Sequence, residues 1–186
     1  MSFVHLHNHT HYSILSALAK PDQYVQLAKS QGSPAVAITD SGVMYGAMDL
    51  YKYAKAAGIK PIIGLEAYIA PLGHTNKTPE NRYYTLVLLA YNNEGYQNLL
   101  KLSTIAALEG FYYKPRMDDE LLEKYGAGLI ALSGNLSGGI PRAILENNVA
   151  RIRQPISLVF PCYFAEGVGD LRQTHEKIVI GSLWPS

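Results

Sequence analysis

Apolar residues in this chain follow two rhythms. Short continuous runs at residues 3–6, 35–39, 61–70, 84–90 and 128–133 are rich in Val, Ile and Leu and are bounded by Gly, Pro or Asp. That is the pattern of buried strands. Between them, residues 21–31, 45–57, 94–108 and 118–124 carry spaced apolar positions and read as helices. In the second helix Tyr45, Met48, Tyr51 and Ala54 recur every three residues and are expected to share one face. Gly32 and Gly58 fall where helices end on a left-handed residue. Strands alternating with helices predict an α/β fold: a parallel sheet with helical crossovers, open and doubly wound or closed into a barrel. An open dinucleotide-binding sheet would place a Gly-rich phosphate turn after its first strand. Histidines stand there instead, which favours the barrel.

Residues 150–186 do not continue this rhythm and are set apart from residues 1–149 as an unassigned tail, in which residues 155–164 read as one further strand. The 186 residues, 48% hydrophobic and 17% charged, suffice for one core. A net charge of +1 gives no support for strong autonomous nucleic-acid binding, and weak binding is the most expected. Cys162 is the only cysteine, which excludes an internal disulfide and favours a reducing cytoplasm. The first residues lack the basic and apolar regions of a signal peptide, and no run has the length a membrane span needs.

The candidate chemistry lies at the start. His5, His7, His9 and His11 alternate with other residues, so on a strand all four would share a face. Neutral imidazoles two residues apart suit a divalent metal such as Zn, Mn or Fe. A tag remnant would be contiguous, which these are not. Spacing alone leaves a metal site and a solvated polar strand equally open.

Several motifs carry a resemblance. His7-Asn8-His9-Thr10-His11-Tyr12-Ser13 is similar to the first motif, H-x-H-T-x-x-S, of the PHP (polymerase and histidinol phosphatase) family. Thr39-Asp40-Ser41-Gly42 resembles the second, T-D-H-G, and Gly64-Leu65-Glu66-Ala67-Tyr68 the third, which carries a metal-bridging glutamate. Glu109-Gly110-Phe111-Tyr112-Tyr113-Lys114-Pro115-Arg116 resembles the branch found at the front of bacterial replicative DNA polymerases, the DNA polymerase III alpha subunits. The likeness covers roughly residues 3–147.

This resemblance implies a PHP-type distorted (β/α) barrel, incomplete in a chain of this length. It implies metal ligands at His7, His9 and Glu66, which resemble those of one divalent ion (Zn, Mn or Fe) that in the family also takes a late Asp. Four family ligand positions hold other residues: Ser16 for Asp, Ser41 for His, Thr85 for His, and Asn135 for Cys or His. His11 stands where the polymerase branch has an acidic residue and is not counted as a ligand. Neutral Ser, Thr and Asn serve a transition metal poorly, so no catalytic residue is assigned and a scaffold role is expected. The alternative is a metal-dependent phosphoesterase, either a 3′–5′ exonuclease or a histidinol-phosphatase-like hydrolase. The parent polymerase implied by the likeness would use Mg, act on DNA and associate with other replisome subunits. Lys114 and Arg116 are candidates for touching nucleic acid. Tyr112 and Tyr113 are expected to be packing aromatics, Asp40 to serve a strand-end turn, His74 to be solvated, and Cys162 to be a small buried hydrophobe.

Overall fold

The computed structural model describes residues 3–133 and 138–145. Helix α1 (Pro21–Ser30) is followed by strand β1 (Ala35–Ile38), helix α2 (Ala47–Ala57) and strand β2 (Lys60–Ile69). Strand β3 (Tyr84–Ala90), helix α3 (Asn93–Leu108), strand β4 (Arg116–Met117), helix α4 (Asp119–Tyr125), strand β5 (Leu129–Leu132) and helix α5 (Gly139–Leu145) complete the order. The expected α/β class is present, and the sheet, in the order β1-β2-β3-β5 with β4 on β2, is open among the described residues.

The sheet is mixed rather than parallel. β1 and β4 run parallel to β2, but β3 is antiparallel to β2 and β5 antiparallel to β3. The reason is the connection: residues 70–83 contain no helix, so β3 returns beside β2 instead of crossing over. The tail 150–186, its residues 155–164, Cys162 and Asn135 lie outside the described residues.

Period-two alternation gives the sheet two faces. Val36 and Ile38 of β1 pack with Val25 and Ala28 of α1 and Leu50 and Ala54 of α2. Leu65, Ala67 and Ile69 of β2, with Leu86 and Leu88 of β3, pack against Leu99 and Leu102 of α3 and Leu121 and Leu122 of α4. The other parity, Ala35, Ala37, Ile62, Val87 and Leu89, forms a third cluster covered by Val4 and Leu6. Helices thus clothe one face, and the amino-terminal segment lies on the other. Among the described residues no helix is long and apolar enough to cross a membrane.

Two local expectations are corrected. Residues 3–6 form no strand. The segment meets the edge of β1 through Ala37 N to His5 O (3.4 Å) and Thr39 N to Asn8 O (2.8 Å), too few bonds for a ladder. Asn8 fills the gap by donating its side-chain amide to the carbonyls of His5 and Ala37. Tyr45, just before α2, and Met48 and Tyr51 within it are exposed, and Ala47, Leu50 and Ala54 are the buried residues of the helix. Steps of three residues drift about 60° per step around a helix of 3.6 residues per turn, so the series crosses from the exposed face at Tyr45 to the core only at Ala54.

Candidate metal centre

The site forms where β1 and β2 end their pairing. Ser41 and Glu66 make a bridge just beyond the β1–β2 ladder. By parity Glu66 points to the face away from the helices, as do Gly64, Tyr68, Thr85 and Val87. Such strand ends are where α/β barrels gather their functional groups.

His7 and His9 reach this point from the amino-terminal segment. His7 Nε2 lies 2.8 Å from Glu66 Oε2, and His9 Nε2 lies 3.4 Å from the same oxygen. The imidazole rings meet edge to face, with centroids 5.0 Å apart. One ligand atom from each of the three residues lies within 4.8 Å of the others. His9 Nε2 is buried and has no hydrogen-bond partner. Its 3.4 Å approach to Glu66 is therefore an electrostatic contact without hydrogen-bond alignment.

Electrostatics follow this geometry. Burial pushes the Glu66 carboxyl up, but the close approach of His7 and His9 outweighs it and holds the group at about 2, against an ordinary 4.5. The Glu66 contact raises His9 above 6.5 against the opposing effect of burial. Two imidazoles and one carboxylate make a donor set suited to Zn, Mn or Fe. Ligands at 2.0–2.1 Å around a tetrahedral ion lie about 3.3 Å apart, so the 3.4 Å His9–Glu66 spacing already fits. The orphaned His9 nitrogen is a second sign of fit.

The other positions singled out in the sequence behave differently. Ser41 Oγ donates to Glu66 Oε1 at 3.3 Å, so it borders the trio as a neutral group. Thr85 is buried on the same face, opposite Tyr68. Ser16 is exposed in the turn after the first motif. His5 is exposed against Phe3, and His11 packs on Tyr12, so the four histidines do not act as one face.

Asp40 does more than serve a turn. It is fully buried and accepts from Thr10 N (2.6 Å), Thr10 Oγ1 (2.8 Å) and Ser13 Oγ (2.6 Å). Three further expectations are overturned. Arg116 is fully buried, and its guanidinium donates to the carbonyls of Gly110, Asn81, His74 and Asn76, so it cannot touch nucleic acid. His74 is not solvated: its side chain is 14% exposed and its Nδ1 pairs with Asp118. Tyr113 is 81% exposed at the tip of a turn with φ 60°, while Tyr112 stacks under Arg116. The burial of Arg116 and Asp118 escaped the sequence reading because charged residues are ordinarily placed outside.

A family model described as the PHP domain matches residues 5–167. The chain belongs to the PHP domain family. The match runs past residue 149, where the alternating rhythm of the sequence stops. This PHP domain is 48% identical over 149 residues to the DNA polymerase III subunit alpha of Treponema pallidum, covering 78% of the chain and 13% of that protein. It is 42% identical over 176 residues to the subunit of Thermus aquaticus, covering 89% of the chain and 14% of the relative. The chain therefore spans about an eighth of the length of these curated relatives. Among solved structures, an amidohydrolase from Chromobacterium violaceum matches 56% of this chain and 33% of its own, with 18% identity and a TM-score of 0.41.

Proposed function

We propose that this PHP domain is the scaffold domain of a bacterial replicative DNA polymerase, in which His7, His9 and Glu66 hold a single divalent ion. The observation that carries the polymerase reading is identity of 42–49% to alpha subunits over most of the chain. On this reading DNA, the other replisome subunits, the Mg of polymerisation and the cytoplasmic setting belong to the parent protein. A primer-extension assay tests it, using a chimera in which this chain replaces the matching segment of the Treponema pallidum subunit. Extension at a rate near the parent's is expected. A chimera that melts cooperatively yet extends no primer overturns the reading.

The metal reading rests on the converging His7, His9 and Glu66 and on the orphaned His9 nitrogen. When bound, a divalent ion supplies Lewis acidity and acidifies a coordinated water. The chain's own part is to orient two imidazoles and keep Glu66 ionised through its hydrogen bond to His7. The intact family pattern implies up to three ions, of which this trio would hold one. Ser41 beside the trio and Thr85 on the same sheet face offer only neutral hydroxyls, so the scaffold is favoured over the phosphoesterase. Elemental analysis after dialysis against Zn or Mn should find one ion per chain, lost in His7→Ala and His9→Ala. The change Ser41→His should raise uptake. An empty wild-type protein rejects the metal reading, and Mn-stimulated cleavage of a nitrophenyl phosphodiester would favour the hydrolase.

A further inference from the structure

We infer that Asp40 is a positioning residue whose buried carboxylate aims His7 and His9 at Glu66. The need for such a residue follows from the missing strand. Leu6 packs on the sheet face, but the main-chain bonds of residues 5–10 to the sheet are two, both at its edge, from Ala37 N and Thr39 N. A ladder would fix side-chain direction by itself, but two bonds leave the segment free to rock about the sheet edge. His7 and His9 sit on either side of Asn8, so any rocking there moves both imidazoles.

Side chains supply the missing restraint at three points. Thr39 Oγ1 meets both Asn8 N (3.1 Å) and Asn8 O (3.2 Å). The Tyr24 hydroxyl, from α1, donates to His9 O at 2.7 Å. Asp40 takes the next residue along, binding Thr10 through both backbone and hydroxyl, and then Ser13. Ser13 Oγ in turn accepts from Ser41 N at 3.0 Å, which closes the clasp around the residue that borders Glu66. Among these restraints only Asp40 is a carboxylate. All three of its bonds go to the motif that carries the histidines, and no Lys or Arg among the described residues is paired with it. Its place is also tight: a Cβ on Gly46 would lie 3.2 Å from its Oδ2. A charge buried with three donors aimed at it holds those donors more firmly than a neutral acceptor does.

The inference concerns the aim of the imidazoles and adds to the proposed metal reading without depending on it. The test is imidazole ¹⁵N NMR of the metal-free chain carrying Asp40→Asn, with Thr10→Val and Ser13→Ala as smaller lesions. In the wild type, His7 Nε2 should show the signature of a hydrogen bond to Glu66. In Asp40→Asn that signature should be lost and the His9 resonance should move, while His5 and His74, outside the clasp, stay in place. A folded variant whose His7 and His9 resonances match the wild type overturns the inference. If Asp40→Asn does not fold, unchanged resonances in both Thr10→Val and Ser13→Ala do the same. Zn titration of the same samples separates the two ideas. Affinity should fall about 10- to 100-fold in Asp40→Asn, as for other residues that orient metal ligands. A wild type with the hydrogen-bond signature but no Zn uptake rejects the metal and leaves the positioning role standing.

Discussion

Replacing Glu66 with Gln removes one charge from the centre of the site and keeps the side chain's size. Burial disfavours the Glu66 carboxylate, yet His7 and His9 hold it at about 2 instead of 4.5. That drop corresponds to about 3 kcal/mol, at ~1.4 kcal/mol for each tenfold change in proton affinity. The figure is an upper value for the variant, because Gln is cheaper to bury. The His9 shift reports the same contact and is not added to it. The two groups set a pH window. Glu66 has a depressed folded pKa, so its contribution is complete above pH 4.5 and disappears as the pH falls through about 2. His9 has a raised one, so its contribution is complete below pH 6.5 and is lost as the pH rises through the folded value. Both hold between pH 4.5 and 6.5, where the wild type should exceed Glu66→Gln by up to about 3 kcal/mol. Urea unfolding of both proteins in chelator-containing buffer, from about pH 3 to about pH 8, gives this difference directly. Subtraction cancels the other carboxylates. A difference that stays flat across the series, or a variant as stable as the wild type inside the window, refutes the reasoning.

Arg116→Met leaves four carbonyls without their buried cation and should cost about 3–5 kcal/mol in urea unfolding; hydrogen exchange of residues 73–83 should rise first. Gly95→Ala would drive a Cβ into the backbone carbonyl of Gly128, which gives way poorly, so a loss of about 2 kcal/mol or more is expected in the thermal melt. Asp118 caps α4 and pairs with His74, whose bonds outweigh burial and hold its carboxyl below 3.8. Asp118→Asn keeps the cap but should cost about 1 kcal/mol at neutral pH, and in paired melts the gap should close as the pH falls below 3.8.

Local pattern was enough to place most elements. β3 at Tyr84–Ala90 coincides with an unbroken apolar run, and α1 and α2 end beside left-handed Gly32 and Gly58, which need no Cβ there. Alternate spacing grouped His5, His7, His9 and His11 alike, and only the motif likeness singled out the pair His7 and His9, whose rings lie 5.0 Å apart. Their partner Glu66 was not legible from spacing, since it lies 59 residues from His7 and only the motif likeness singled it out. Two-short elements such as β4, with only Arg116 and Met117, carry no period to detect. Strand direction was decided by tertiary structure: a run of apolar residues specifies a strand but not whether the next connection crosses over or turns back. The same holds for burial of charge. Arg116 and Asp40 look like surface residues in the sequence because a lone charge costs too much to bury. Inside the fold, four carbonyls surround one and three donors surround the other, and those partners come from segments up to 42 and 30 residues away. Only folding brings enough of them together to offset the lost water.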